Sequence, residues 1–191
     1  DGIAWAAGFA VPGVPTNPHP AQIVNLSLGG TDSVPCSAED DALLAQLLSP
    51  SGLRAIVAAA GNAAGDANLN FPSSCPSTIA VTATSDTGDR TTYSNYGTSV
   101  DIAAPGGDRG GLAGLIYVLS NAGKTAPGAD AIAAGGGTSF AAPMVAGVAS
   151  LMLAVAPGLS PQELRSIIQT TKKPFPTSSR CTFNSCGRGI V

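Results

Sequence analysis

The feature that most constrains the fold is the segment Arg54–Ala60, whose last six residues are all apolar and which ends at Gly61-Asn62. A strand that shows no polar alternation is buried on both faces, as the strands of parallel sheets are. We therefore expect this segment to be a strand inside a parallel sheet.

Strand and helix patterns alternate along the rest of the chain, which is typical of a three-layer α/β domain with a parallel sheet. The high counts of glycine (24) and proline (15) indicate many loops between compact elements. Further strands are predicted at residues 22–28, 78–83 and 99–103, and a hairpin at residues 116–120 and 129–134. Helices are predicted at residues 38–48, at residues 139–154 and from Ser160 onward. The last helix begins with a capping box, for which Ser160, Pro161 and Glu163 are suited.

Composition excludes several classes of protein. The chain has 191 residues, enough for one domain with a buried core. With 44% hydrophobic residues, 11% charged residues and a net charge of −3, it has the character of neither a disordered segment nor a nucleic-acid binder. The most apolar run, residues 141–156, contains Pro143, Gly147 and Ser150, so we expect a buried helix rather than a membrane span.

The four cysteines favour an oxidising compartment, and their spacing matches no zinc pattern. Three disulfide pairings are possible. The favoured one joins Cys181 to its near neighbour Cys186 and leaves Cys36 to pair with Cys75. The alternative is four buried, reduced thiols.

The segment Gly137–Gly147, with the sequence GTSFAAPMVAG, carries the strongest chemical signal. Gly137 allows a tight turn, after which Ser139 lies at the start of a predicted helix. Free N–H groups and the positive end of the helix dipole favour an oxyanion at that position. The alternative interpretation is a serine that caps an ordinary core helix.

This eleven-residue string resembles the nucleophile signature of the subtilisin family, and it differs from the Gly-x-Ser-x-Gly elbow of the α/β-hydrolases. Residues 94–97, 100–106 and 151–164 continue the resemblance. It implies a partial subtilisin-like fold, with residues 1–191 as the C-terminal portion of a single catalytic domain. It also implies a secreted serine endopeptidase that cleaves peptide bonds through an acyl-enzyme on Ser139, with no cofactor for catalysis.

Asn62 resembles the family's oxyanion-hole asparagine, because it follows Ala59-Ala60-Gly61 at the end of a strand. The resemblance implies that its side-chain N–H and the backbone N–H of Ser139 stabilise the tetrahedral intermediate. The alternative is an asparagine in the left-handed conformation that closes the strand.

The resemblance also implies a substrate cleft with two walls. Ser27, Leu28 and Gly29 would pair with an extended peptide, and Ala59, Ala60 and Gly61 would form the other side of the primary pocket. Asn70 is assigned to the base of this pocket by a loose match. Because the matched positions carry no carboxylate, we expect an open, apolar pocket that accepts large hydrophobic side chains.

A structural cation is the one ligand of the protein itself that the resemblance suggests. Asp101, with backbone carbonyls from the segment Cys75, Pro76 and Thr78, would offer the hard oxygen ligands that suit calcium. The alternative is a strand aspartate that caps a turn.

The sequence departs from the family in lacking the motifs that carry the catalytic aspartate and histidine. Its one histidine, His19, stands between two prolines and is predicted to lie in a surface loop. We therefore expect a fragment whose partners are peptide or protein substrates and the N-terminal portion of the same protease, without nucleic acid or membrane. The alternative is a non-catalytic peptide-binding member, or an inactive fragment, of the same fold.

Overall fold

A computed structural model describes residues 1–30, 34–49, 51–108 and 114–191. Its centre is a four-stranded sheet in the order β1-β2-β3-β4, and all neighbouring strands are parallel. The parallel sheet expected from the sequence is therefore confirmed. The strands are β1 (Ile23–Leu26), β2 (Ala55–Ala59), β3 (Ile79–Thr84) and β4 (Ile102–Pro105).

Helices cover both faces of this sheet and complete three layers. On one face α3 (Thr138–Val155) and α4 (Pro161–Thr170) pack against the strands, and on the other lie α1 (Gly2–Ala6) and α2 (Ala38–Leu47). A short helix, α5 (Phe183–Cys186), and the 3₁₀ turn Ala67–Leu69 lie in the connections. The predicted hairpin is present as β5 (Ile116–Asn121) and β6 (Asp130–Gly135), which pair antiparallel.

The unbroken apolar character of β2 follows from this layering. Ala55, Val57 and Ala59 belong to the core beneath α3 and α4. Ile56 and Ala58 point the other way, into the core beneath α1 and α2. Since successive strand residues face opposite sides, both cores require apolar residues from the same strand.

Two predicted strand boundaries were wrong by a few residues. The first strand ends at Leu26 rather than at residue 28, because residues 27–29 leave the ladder and line a cleft. The fourth begins at Ile102 rather than at Ser99, because Val100 closes a turn by donating its N–H to the Gly97 carbonyl at 3.2 Å.

The two outer strands of the sheet differ. On the β4 side, which we call the closed edge, Ala103 forms a parallel bridge with Ile190. Ala103 donates its N–H to the Gly189 carbonyl at 2.8 Å and accepts from Val191 at 2.9 Å. On the β1 side, the open edge, β1 pairs with β2 on its inner side, and no strand of the described ranges pairs with its outer side.

Helix α3 is long and apolar enough to cross a membrane by length and composition. One of its faces is buried against the sheet, however, through Ala141, Val145, Ala149 and Leu153. These residues recur every three to four positions, as in a helix that packs on one side. The remaining face carries exposed apolar side chains, among them Leu151 (70% exposed) and Val155 (87% exposed).

Both favoured disulfides are confirmed. Cys36–Cys75 ties the segment before α2 to the segment before β3, and Cys181–Cys186 encloses α5. The alternative of four reduced thiols is therefore wrong.

Candidate active site

Ser139 is the second residue of α3 and contacts the residue that follows β1. Its hydroxyl donates to the Ser27 carbonyl at 3.2 Å, and the Ser27 hydroxyl donates to the Ser139 carbonyl at 2.8 Å. That second bond is available because Pro143, four residues further along the helix, has no N–H for the Ser139 carbonyl. Two of the predicted site residues, 112 positions apart, are thus brought into direct contact.

The amide of Asn62 is fixed by Thr138, the first residue of α3. Its Oδ1 accepts from the Thr138 backbone N–H at 2.8 Å and from the Thr138 hydroxyl at 3.1 Å. Because a backbone N–H can only donate, the atom facing it must be the amide oxygen. Nδ2 therefore points away from Thr138, and in the described part of the chain it makes no hydrogen bond.

This arrangement is the one that an oxyanion donor needs, since the amide nitrogen is oriented and unengaged. The alternative interpretation of Asn62 is wrong: among the described residues other than glycine, only Ala64 has a positive φ. Thr138 was not singled out from the sequence, although it lies inside the GTSFAAP string. Its side chain is fully buried and also accepts from the Gly61 N–H at 3.2 Å.

Gly61 and Asn95 shape the loop that carries Asn62. Gly61 has φ of +103°, and an added Cβ would lie 2.8 Å from Asn70 Oδ1 and closer still to Asn95, so no larger residue fits. Asn95 Oδ1 accepts from the N–H groups of Ala63 at 2.9 Å and Gly65 at 3.0 Å. Asn95 is a positioning residue whose role was not predicted, although residues 94–97 were counted in the family resemblance; the structure shows that it is buried.

A cleft of about 450 Å³ opens in front of Ser139. Ala60 is the one predicted wall residue that does not line it, because its side chain is fully buried with Ala67 and Val100. Gly30, Ala63 and Leu69 line the cleft without having been predicted. The predicted residues that do line it are Ser27, Leu28, Gly29, Ala59, Gly61, Asn62, Asn70 and Ser139.

No histidine or carboxylate is found among the described residues that line this cleft. His19 is exposed in its loop, where its backbone N–H bonds Asn17 Oδ1 at 2.9 Å. The Ser139 hydroxyl donates to a backbone carbonyl, which is not a base. The arrangement can stabilise an oxyanion, but none of the described residues that line the cleft is a proton acceptor for the serine.

The Asp101 carboxylate is buried and already surrounded by donors. Oδ1 accepts from Arg165 Nη2 at 2.6 Å, Arg165 Nε at 3.0 Å and Gln169 Nε2 at 2.7 Å. Oδ2 accepts from the Ala80 N–H at 2.9 Å. Burial raises the pKa of Asp101 above its usual value, an effect that the Arg165 charge and these hydrogen bonds oppose.

The neighbouring carbonyls are engaged as well. Arg165 Nη1 donates to the Pro76 carbonyl, and the Cys75 carbonyl accepts from the Thr78 N–H at 3.0 Å and the Thr78 hydroxyl at 2.9 Å. The guanidinium thus lies between Asp101 and Pro76, two of the residues suggested for calcium. In this arrangement the oxygens do not fit a cation, because a protein cation already neutralises them. The turn-capping alternative does not hold either, since Asp101 bonds across to β3.

Comparisons with known proteins identify the family and the fold of this chain. The model of the Subtilase family matches residues 1–189. The chain is 38% identical to the extracellular protease of Xanthomonas campestris pv. campestris, over all of this chain and 31% of that protein. It is also 38% identical to the extracellular basic protease of Dichelobacter nodosus, over 92% of this chain and 28% of that protein.

Among solved structures, a protease from Pseudoalteromonas arctica PAMC 21717 superposes with a TM-score of 0.87 at 36% identity. It covers all of this chain, which in turn spans 54% of that protein. The chain therefore spans about half of this solved relative and about three tenths of the two curated relatives named above. With a family match over nearly its whole length, the chain belongs to the subtilase family.

Proposed function

We propose that this chain is the nucleophile-bearing part of a secreted serine endopeptidase. The observation that carries the proposal is the placement of Ser139 at the start of α3, next to an Asn62 amide whose oxygen is held by Thr138 and whose nitrogen is free. An activated serine beside fixed N–H donors is the arrangement that acyl transfer requires.

In the proposed reaction the Ser139 oxygen attacks the carbonyl carbon of the scissile peptide bond while its proton passes to a base. Asn62 Nδ2 and the Ser139 N–H donate to the oxygen that becomes negative. The C–N bond then breaks, the amine leaves with the proton returned by the base, and Ser139 is left acylated. Water, deprotonated by the same base, attacks the ester, and the base returns this proton to the Ser139 oxygen as the acid is released.

The base and its orienting carboxylate are proposed to come from an N-terminal portion of the same protease. The open edge supports this proposal, because a parallel sheet with a bare β1 and an exposed apolar face on α3 can accept a further strand and helix. The curated relatives and the solved relative are longer than this chain, which leaves room for such a portion.

Secretion is proposed on two grounds. Two disulfides persist best in an oxidising compartment, and two relatives carry the word extracellular in their names. The substrates are proposed to be extended peptides that pair with residues 27–29 and place a side chain between Gly29 and Gly61.

The test is Ser139→Ala in the full-length protein, with Ser166→Ala on the exposed side of α4 as the control. We expect Ser139→Ala to lower kcat for a peptide substrate by about 10⁶-fold, the size of the loss in subtilisin, another member of the family. The far-ultraviolet circular dichroism spectrum should be unchanged, and Ser166→Ala should remain active.

A fluorophosphonate probe separates this function from the peptide-binding alternative. Labelling of wild-type Ser139, absent in Ser139→Ala, is expected for an endopeptidase. Normal turnover by Ser139→Ala would refute the assignment of the nucleophile, and peptide binding without labelling or turnover would favour the alternative.

A further inference from the structure

A second cavity lies at the opposite end of β2 from the cleft. It has a volume of about 220 Å³, and its lining includes Ala55 and Ile56 at the start of β2 and Ile79 at the start of β3. The cleft in front of Ser139 is lined instead by residues that include Ala59, at the end of β2. The described residues that line the two cavities are different, so a ligand in the second one would not touch the proposed catalytic groups.

Arg54, which precedes β2, lines this second cavity and is only 7% exposed. Its Nη1 donates to the Leu159 carbonyl at 2.5 Å. Its Nε is buried and has no hydrogen-bond partner among the described residues. Nη2 forms no hydrogen bond with them either, which leaves its two N–H groups for a ligand in the cavity.

The charge of Arg54 is not neutralised within the described parts of the chain, where it belongs to no ion pair. Arg165 lines the same cavity, but its guanidinium is paired with Asp101. The carboxylate of Asp41 lies close by and accepts from the N–H of the lining residue Ser77 at 2.8 Å, without reaching Arg54. Since arginine does not lose its proton in proteins, the cavity keeps an uncompensated positive charge.

A buried charge is unfavourable until a partner of opposite sign reaches it. The planar guanidinium matches the oxygens of an oxoanion, with which it forms short, charge-assisted hydrogen bonds. Gln162, in the first turn of α4, adds a neutral amide to the lining. Glu163 of the same turn is not a lining residue, and its carboxylate accepts from the Ser160 N–H at 2.8 Å.

We propose that this cavity binds one small oxoanion from solution, of the sulfate or phosphate type, which pairs with the Arg54 guanidinium. The site is independent of the proposed function, because it uses none of the residues assigned to peptide hydrolysis. Two charge-assisted hydrogen bonds correspond to a Kd on the order of 1 mM. Binding to the folded state alone should therefore stabilise the protein in a saturable way.

The experiment uses the full-length protein with Ser139→Ala, so that self-digestion does not disturb the thermal unfolding curves. Sodium sulfate is raised to about 20 mM, roughly ten times the expected Kd, while sodium chloride keeps the ionic strength constant. The variants are Arg54→Leu, which removes the guanidinium, and Arg54→Lys, which keeps the charge but not the planar fork. Lys124→Gln is the matched control, since it removes a positive charge from the exposed turn between β5 and β6.

We expect sulfate to raise the Tm by about 2 °C, with saturation, in the parent and in Lys124→Gln. In Arg54→Leu the saturable rise should be absent. In Arg54→Lys the half-saturating concentration should be at least about tenfold higher, because a charge-assisted hydrogen bond is lost. A rise of equal size in all four proteins would be a general salt effect and would overturn the proposal.

Equilibrium dialysis with radiolabelled sulfate measures the same binding without unfolding the protein. The parent and Lys124→Gln should each bind one sulfate more per molecule than Arg54→Leu. If Arg54→Leu does not fold, the affinities of the parent and Arg54→Lys are compared instead, and equal values would contradict the assignment. A parent that binds no sulfate in the millimolar range would overturn the proposal, as it would if a carboxylate from another part of the protease already filled the cavity.

Discussion

The two edges of the central sheet differ in whether their outer strand is paired with another segment of the chain. At the closed edge, β4 is paired with the segment that contains Ile190, and Arg165 of α4 and Arg180 add ion pairs with Asp101 and Asp89. At the open edge, β1 has no partner strand on its outer side in the described ranges, and the adjoining helix α3 leaves Leu151 and Val155 uncovered.

The catalytic groups differ between the two edges as well. The parts of the site that lie toward β2 and α3, namely Asn62, Thr138 and Ser139, are positioned by hydrogen bonds within the chain. Among the described residues that line the cleft, none is a base for Ser139. In the proposed function, this portion of the chain provides the oxyanion donors and the N-terminal portion provides the base.

The largest expected effect concerns the open edge. The 191-residue chain refolded alone should hydrolyse peptides several orders of magnitude more slowly than the same chain mixed with the N-terminal portion, because no base reaches Ser139. A peptide p-nitroanilide assay on both samples measures the difference. Comparable rates with and without the added portion would remove the contrast between the edges as an explanation of function.

The second prediction concerns how much each disulfide contributes to the free energy of unfolding. One disulfide packs in the core beneath α1 and α2, and the other lies toward the closed edge. Cys36–Cys75 joins residues 39 apart, and Cys181–Cys186 joins residues 5 apart. Loop entropy predicts losses in the free energy of unfolding of about 4 kcal/mol and about 2 kcal/mol respectively. Urea denaturation of the two double Cys→Ser variants measures them, and a larger loss for the shorter loop would contradict the entropic argument.

Arg165→Ala should remove the ion pair between helix α4 and the closed edge and thereby destabilise the fold. It leaves the buried Asp101 carboxylate without its counter-charge, which costs about 3 kcal/mol in the free energy of unfolding. The double variant Arg165→Ala/Asp101→Asn is the control, and it should recover part of the loss. If a chelator lowers the Tm of the wild type as much as Arg165→Ala does, a bound cation and not the guanidinium neutralises Asp101.

The smallest effect is a pH dependence at the Asp89–Arg180 pair. Burial alone would raise the pKa of Asp89, but the Arg180 N–H and guanidinium and the Ser179 hydroxyl hold it below its usual value of 3.8. A lowered carboxyl pKa stabilises the fold above the unfolded pKa, and this stability is lost as the pH falls through the folded pKa.

Asp89→Asn should therefore cost less than about 1 kcal/mol at pH 7, since the pair is partly exposed. The difference from wild type should vanish under strongly acidic conditions. Urea midpoints at several pH values measure this, and a difference that grew toward acid pH would have the wrong sign for the pair.

The sequence allowed local features to be predicted better than distant ones. The burial of β2 on both faces and the capping box of α4, in which Ser160 and Glu163 bond each other's backbone, follow from residues close together in the chain. Ser139 and Asn62 were identified because each lies in a short characteristic string.

The hydrogen-bonding residues that were missed all act over long separations. Thr138 holds Asn62 across 76 positions, Arg165 reaches Asp101 across 64, and Asn95 supports the loop at Ala63 across 32. Nothing in local spacing specifies such partners, because tertiary packing decides which donor meets which acceptor. The same reason explains why Asp101 was assigned to calcium from the resemblance while its actual neighbour was not foreseen.

Pro143 makes helix α3 less stable but leaves the Ser139 carbonyl free of a helical hydrogen bond, so that it can accept from the cleft wall. A residue with an N–H at this position would satisfy the Ser139 carbonyl within the helix, and α3 would be more stable for it. The Ser27 hydroxyl would then have to share this carbonyl with the helix N–H, which would weaken the hydrogen bond between the wall after β1 and the nucleophile's own backbone. A defect in one helix is thus what keeps two segments 112 residues apart in register, so selection for a more stable helix would act against the geometry of the cleft.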